Sequence, residues 1–300
     1  MKKEYEFSGK AMGTEFSIAI ISDYFPAADA ASKNAIDSIH EYESRFSRFI
    51  PQSELSRINE EKDMIVSNEF MDVIEKSYTL FVLTGGIFNP LVQIKRFGYT
   101  KDFSEIEDSA QLLNENLEEY NIDFSSTLID SKNHKVVLQD GQQLDFGGFL
   151  KGYLAELLCK QIMTSSPHIT GAIVNIGGDL YTEGKDSNGE TFLFDIYNPI
   201  TQSDDTTIPI FNSALATSGT YKRIWKSDGV QTNHILDISG IKNPETAIVS
   251  SSVIHPDGGK AEAFAKVLLS IEKDRALQIL KPEDIGYILI TNTGELVRNI

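Results

Sequence analysis

The order of strand-like and helix-like segments constrains the fold of this chain more than any other feature. Apolar residues at helical spacing predict helices at 28–49, 68–83, 109–120, 148–163, 259–271 and 273–280. Apolar runs and alternations predict strands at 16–20, 135–139, 171–177, 192–197, 207–211, 214–217, 233–237 and 247–254, with a terminal pair at 286–298. Because these elements do not alternate strictly, we expect an α+β fold with mixed or antiparallel sheets and packed helices, not a doubly wound parallel sheet.

No internal repeat or low-complexity linker interrupts the chain, which predicts a single domain over residues 1–300. Residues 84–108 mix glycine, proline, aromatic and charged residues, which is typical of an ordered loop. Residues 185–190 and 201–206 carry polar turn signals. Asn68 is a suitable N-cap for the second predicted helix.

The formal net charge of −17 limits the possible partners. It argues against non-specific nucleic-acid binding and against docking on anionic lipid. No apolar run is long enough to cross a bilayer, so we expect no membrane insertion. Residues 1–6 lack the apolar run of a signal peptide, which predicts a cytoplasmic location unless a signal was removed. The single cysteine, Cys159, lies in a helical apolar pattern and is expected in the core.

Residues 144–153 form the stretch that is most informative about chemistry. Gly147 and Gly148 stand between a strand-like segment and a helix, where the backbone can approach a ligand and helix N–H groups are free for a phosphate. Asp145 could accept hydrogen bonds from a ring N–H or a ribose hydroxyl, and Lys151 could reach a phosphate. The alternative is a tight glycine turn with Lys151 in solvent.

Two further segments place glycines or hydroxyls where a ligand could bind. Asn175 to Asp179 ends an apolar strand with Gly177 and Gly178, which could present backbone N–H groups or could form a turn between two strands. Residues 216–221 place Thr217 and Ser218 beside a glycine, with Arg223 shortly after. Such hydroxyls and amides could bind phosphate, with Arg223 as an added donor, or could form a polar turn.

Three titratable residues complete the candidate residues. His234 falls in the predicted strand 233–237 and could act as a general base toward a substrate hydroxyl, or could be structural. Glu262 and Lys266 are four residues apart on one helix face, which is also the spacing of a surface ion pair. The other histidines have no metal-ligand spacing.

Taken in order, these segments resemble the motif series of the ApbE-type FAD:protein FMN transferases. The resemblance runs from about residue 9 to residue 290 and is carried by eight segments: 12–14, 53–59, 86–90, 145–153, 175–179, 216–221, 234–240 and 261–266. It implies an α+β domain that binds FAD and Mg²⁺, transfers FMN to a Thr or Ser hydroxyl of an acceptor flavoprotein through a phosphoester bond, and releases AMP.

The resemblance also implies roles for individual residues. His234 matches the family histidine that is a plausible base, and Gly148 and Glu262 match positions that bind the metal. The positions implied to contact FAD are Met12, Phe49, Asn89, Asp145, Lys151, Gly177, Gly178, Thr217, Ser218 and Leu236.

The chain departs from the family pattern at the metal motif, which usually reads Ala-Asp-Ala-x-Ala-Thr. Glu262 replaces the Asp and Lys266 replaces the Thr, while Asn89 stands where Asp is usual. A longer carboxylate can still ligate a hard cation, but a protonated lysine cannot. Either Lys266 replaces part of the metal's charge, or it points away and Glu262 holds the ion with other oxygens.

Two other functions are compatible with the same residues. One is an FAD pyrophosphatase that releases FMN and AMP into solution, and the other is an FAD-binding protein that has lost catalysis. The sequence does not identify the acceptor protein or the oligomeric state.

Overall fold

An eight-stranded antiparallel sheet is the centre of the computed structural model, which describes residues 2–92, 94, 121–227 and 230–300. Its strands, in spatial order, are β1 (Lys3–Ala11), β2 (Thr14–Ser22), β6 (Ile169–Ile176), β7 (Asp179–Gly184), β10 (Ala214–Gly219), β13 (Ile248–His255), β14 (Gly286–Thr291) and β15 (Leu296–Asn299). Three smaller sheets accompany it: β3 (Asp63–Ile65) with β5 (Lys135–Val137) and β4 (Leu128–Asp130), the hairpin β8 (Phe192–Asn198) with β9 (Ser203–Ile210), and the hairpin β11 (Ile224–Ser227) with β12 (Val230–Asn233).

Six α-helices are present in the described part of the chain. They are α1 (Phe25–Phe46), α2 (Glu54–Glu61), α3 (Asn68–Leu83), α4 (Leu150–Ser165), α5 (Gly258–Ser270) and α6 (Lys273–Leu280). Helix α4 packs on β6 and β7, α5 packs on β10 and β13, and α1 packs on α4 and the first two strands. One face of the large sheet is therefore covered by helices.

Side-chain alternation along the strands explains why both faces of the sheet are covered. In β2, Phe16, Ile18 and Ile20 point into the main core beneath the helices. In β10, Leu215 belongs instead to a second apolar cluster on the opposite face, together with residues of the hairpin β8–β9 such as Ile208. Successive residues of a strand point to opposite faces, so a strand buried on both sides needs apolar residues at consecutive positions.

Helices α4 and α5 cross in close contact at two glycines. A Cβ atom on Gly152 would overlap the carbonyl oxygen of Gly258, and a Cβ on Gly258 would overlap that of Gly152. The helices also cap each other: Gly152 N donates to Glu262 Oε2 (2.8 Å), and Gly258 N donates to Glu156 Oε2 (2.7 Å). A carboxylate at a helix N-terminus satisfies a free N–H group and interacts favourably with the helix dipole.

The structure confirms the predicted α+β class and corrects several local assignments. His234 lies immediately after β12 and not within a strand, because the side chain of Asn233 accepts a hydrogen bond from Ile235 N (2.9 Å) and turns the chain. The cap of α3 is Ser67, whose hydroxyl accepts from the N–H of Phe70. Segment 201–206 is not wholly a loop, since β9 begins at Ser203. The predicted helix 109–120 lies outside the described residues.

The sequence patterns did not predict several elements, because these elements are short or mostly polar. The short strands β3 and β4 have three residues each, and β1 alternates with mostly exposed or half-buried positions. Cys159 is fully buried, as expected. Among the described helices, none combines the length and the apolar character needed to span a bilayer.

The contact between α4 and α5 leads to a stability prediction. Gly152→Ala should lower the free energy of unfolding by about 1–3 kcal/mol, because the added methyl group forces apart two helices that touch through backbone atoms. Gln161→Ala, at an exposed position of the same helix, is the matched control. Urea unfolding measures both variants, and equal midpoints for the two would contradict the prediction.

Candidate functional site

A cleft lies where the start of α4, the end of α1 and the loop after β12 meet. Lys266 lines this cleft, and so do eight other residues predicted for the site: Met12, Phe49, Asn89, Asp145, Gly148, Lys151, His234 and Leu236. Other lining residues include Arg48, Arg223 and Asp237. The structure therefore brings together motifs that lie as far apart in sequence as residues 12 and 266.

The remaining predicted residues lie elsewhere. Gly177 and Gly178 line a second, more open cleft, and both have positive φ angles in the turn between β6 and β7. Thr217 and Ser218 belong to β10, where the Thr217 hydroxyl lies 2.8 Å from that of Ser252. Neither hydroxyl residue is among those that line the two clefts.

A buried charge cluster lies beneath the first cleft and consists of Lys151, Asp179, Glu262 and Lys266. Lys151 Nζ forms ion pairs with both Asp179 and Glu262. Lys266 Nζ lies 2.9 Å from Glu262 Oε1, and the Glu262 side chain is fully buried. The interpretation of Glu262–Lys266 as a surface pair is therefore wrong, and so is a solvated Lys151. Buried charges are tolerated because each is paired and hydrogen-bonded.

Mutual interactions favour the charged forms of Glu262 and Lys151, whereas burial raises the pKa of Asp179 and lowers the pKa of Lys266. Burial acts to raise the pKa of Glu262, but Lys151, Lys266 and the Gly152 N–H outweigh it and hold that pKa at about 2. Burial acts to lower the pKa of Lys151, but Asp179 and Glu262 raise it above its ordinary value. Asp179 Oδ1 is buried without a hydrogen-bond partner in the described residues. A buried oxygen without a hydrogen-bond partner is unusual in a protein core, and it is more common at a site where a ligand binds.

His234 is the second group at the cleft whose hydrogen bonding is incomplete. Its Nδ1 is buried and has no hydrogen-bond partner in the part of the chain that the structure describes. Burial, together with the nearby cations Arg223, Lys266 and Lys151, lowers its pKa to about 3. The imidazole is therefore neutral at neutral pH and able to accept a proton.

An asparagine that sequence reasoning missed holds the loop that carries His234. Asn243 Nδ2 donates to the carbonyl oxygens of Asn233 (2.9 Å) and Ile235 (2.6 Å), on either side of the histidine. Its Oδ1 accepts from Asn233 N (3.1 Å). These bonds fix the backbone on both sides of His234, and nothing in the local pattern around residue 243 indicates this partner.

Arg48 is a second residue that the sequence did not reveal. It forms an ion pair with Asp145, and its guanidinium lies 4.7 Å from the centroid of the Phe49 ring. Asp145 also accepts a hydrogen bond from Gly147 N (2.9 Å), so its carboxylate stabilises the glycine turn that leads into α4. In Asn89, Oδ1 accepts from Leu91 N and Nδ2 donates to the carbonyl of residue 122, which is the bonding of a turn residue.

The residues implied to bind Mg²⁺ do not fit a divalent ion. Glu262 Oε1 is shared by the ammonium groups of Lys151 and Lys266, and Oε2 accepts from the Gly152 N–H. Within the described ranges, no group of three or more His, Cys, Asp or Glu side chains is placed to hold a metal. Lys266 contacts Glu262, so the alternative in which the Lys266 side chain points away from the metal position is not observed.

Comparison with known proteins supports one family. The model of the ApbE family matches residues 12–289. The FAD:protein FMN transferase of Haemophilus influenzae is 23% identical over 307 residues, which cover 97% of this chain and 87% of that protein. The FAD:protein FMN transferase of Chlamydia pneumoniae is 26% identical over 285 residues, which cover 90% of this chain and 86% of that protein.

A solved structure has the same fold. The ApbE protein of Thermotoga maritima superposes with a TM-score of 0.86 at 23% identity, covering 99% of this chain and 97% of that one. This likeness concerns the fold alone, whereas the family match extends over nearly the whole sequence. The chain belongs to the ApbE family.

Proposed function

We propose that this protein transfers FMN from FAD to a Thr or Ser hydroxyl of an acceptor flavoprotein, forming a phosphoester bond and releasing AMP. The observation that carries the proposal is the cleft where a neutral, buried histidine lies among Lys151, Lys266 and Arg223. The curated relatives of this chain bear the name FAD:protein FMN transferase. A single domain over residues 1–300 is part of the proposal, supported by a main core that extends from Ala11 to Leu289.

The charge distribution favours binding of the FAD pyrophosphate in the cleft. The chain as a whole carries a formal charge of −17, so an anionic ligand needs a local concentration of cations. Lys266 and Arg223 both line the cleft. Arg223 can offer several N–H donors to phosphoryl oxygens, and Lys266 can act as a point charge.

His234 supplies the base in this scheme. The acceptor hydroxyl oxygen attacks the FMN phosphorus, the bond from that phosphorus to the oxygen of AMP breaks, and the hydroxyl proton passes to the imidazole. In the free protein, burial and the surrounding cations keep the pKa of His234 low. A bound pyrophosphate brings negative charge beside those cations, which raises the affinity of the imidazole for the proton.

The remaining cleft residues position the substrate. Phe49, whose side chain is 40% exposed, offers an aromatic face at the rim, and Leu236 and Met12 add apolar surface. The flavin and adenine rings of FAD require such surfaces. Asp145 is held by Arg48 and Gly147, so its role in this scheme is to shape the turn as well as to contact FAD.

Transfer can be tested with FAD and a flavoprotein whose threonine accepts FMN. Intact mass should show the acceptor gaining one FMN, with AMP in equal amount. His234→Asn should lower the rate by about 10²- to 10⁴-fold with little change in FAD affinity, because it removes only the base. His168→Asn, at a half-exposed position, is the matched control.

Two outcomes would contradict the transferase proposal. Free FMN and AMP with an unmodified acceptor would identify an FAD pyrophosphatase. Bound FAD that persists unchanged with the acceptor would identify an FAD-binding protein without catalysis.

The environment of His234 leads to a prediction on pH. In the free protein its ring signals should not titrate between about pH 8 and pH 5, because its pKa is far below the ordinary value of about 6.5. The unfolded chain binds this proton more readily, so His234 should reduce stability as the pH falls below about 6.5. NMR of the histidine rings, assigned through His234→Asn, measures the titration. A titration midpoint of His234 near pH 6.5 would contradict its buried position beside these cations.

A further inference from the structure

We propose that the ammonium group of Lys266 takes the place of the divalent cation and neutralises the FAD pyrophosphate directly, so that FAD binding does not require a metal. The inference rests on the proposed function, because it concerns how the same cleft holds FAD. It gives Lys266 the role that the family resemblance assigns to a metal ion.

The position of Lys266 is the first observation. Its Nζ lies 2.9 Å from Glu262 Oε1. Its Cδ lies 3.8 Å from where a Cβ on Gly148 would be. Glu262 and Gly148 are the two positions that the family resemblance assigns to the metal. The lysine side chain therefore lies beside both of these positions.

The bonding of Glu262 is the second observation. Its carboxylate is fully buried and accepts from Lys151, Lys266 and Gly152 N. Both lone pairs of Glu262 Oε1 are used, so a metal bound to that oxygen would have to displace Lys151 or Lys266. It would also lie beside two ammonium groups, and like charges at such short separation repel strongly in a buried site.

The remaining donors of Lys266 are the third observation. In the described part of the chain, Lys266 Nζ donates one hydrogen bond, to Glu262. An ammonium group has three N–H donors, and this side chain is 22% exposed and lines the cleft. Glu262 thus holds the ammonium in place while the free N–H groups can meet phosphoryl oxygens.

FAD affinity measured without an acceptor tests the proposal independently of catalysis. Titration of the wild-type protein should give the same dissociation constant in excess EDTA and in millimolar Mg²⁺, within about twofold. Lys266→Thr supplies a hydroxyl in place of the ammonium. In EDTA it should weaken FAD binding by about tenfold or more, since a charge-assisted hydrogen bond is lost. Mg²⁺ should restore binding in this variant.

Two control variants sharpen the comparison. Lys266→Met keeps the length of the side chain but offers neither charge nor a ligand atom, so its FAD binding should be weak with and without Mg²⁺. Lys33→Met, at an exposed ion pair on α1, should bind FAD like the wild type. Circular dichroism of each variant checks that it is folded.

The result that would overturn the proposal is wild-type FAD binding that strengthens tenfold or more with Mg²⁺. Lys266→Thr that binds FAD as tightly as the wild type in EDTA would overturn it as well. FAD binding that is independent of metal, without FMN transfer to any acceptor, would contradict the proposed function and leave this inference standing. The two failures are therefore distinguishable.

Discussion

The contact between α4 and α5 at Gly152 and Gly258 is the constraint on which the site depends. With no side chain at either position, the two helix backbones touch, and each helix receives a carboxylate from the other at its first turn. The carboxylate given by α5 is Glu262, which is thereby fixed beneath Lys151. A bulkier residue at the crossing would move Glu262 away from Lys151 and separate the charges that the cleft uses.

The charge cluster lets a strongly acidic protein hold cations at the cleft where we propose that the anionic substrate binds. Both lysines line the cleft, but Lys151 is bound to two carboxylates and serves mainly to balance them, whereas Lys266 is bound to one. Burial keeps His234 neutral in the free protein, and these lysines and Arg223 act in the same direction. In the proposed function, the charges that attract the pyrophosphate therefore also influence the protonation state of the base.

Local sequence patterns predicted the parts of the molecule that depend on short-range order. The 3.6-residue periodicity located α4 and α5 to within two residues, and the glycines at 147 and 148 marked the turn into α4. Eight of the residues that the family resemblance implies for the site, together with Lys266, line the cleft. What local patterns could not give were partners distant in sequence: Arg48 with Asp145, Asn243 with the backbone around His234, and Lys151 with Asp179.

The same limit explains the wrong assignment of the Glu262–Lys266 pair. Spacing four residues apart fixes that two side chains share a helix face, but it does not tell whether the face points to solvent or to a neighbouring helix. Here the face points into the crossing with α4, where Gly258 touches Gly152 and the Gly152 N–H donates to Glu262. Glu262 therefore belongs to the buried charge cluster and not to a surface ion pair.

The most direct measurement is a crystal structure of the FAD complex grown with Mn²⁺, with anomalous diffraction recorded to locate the metal. We predict the FAD pyrophosphate in the cleft between His234 and Lys266, with Lys266 Nζ within hydrogen-bonding distance of a phosphoryl oxygen. No anomalous peak should lie at Glu262. A manganese ion bound to Glu262 and the pyrophosphate, with Lys266 displaced, would contradict the role given to the lysine. FAD bound elsewhere would contradict the site itself.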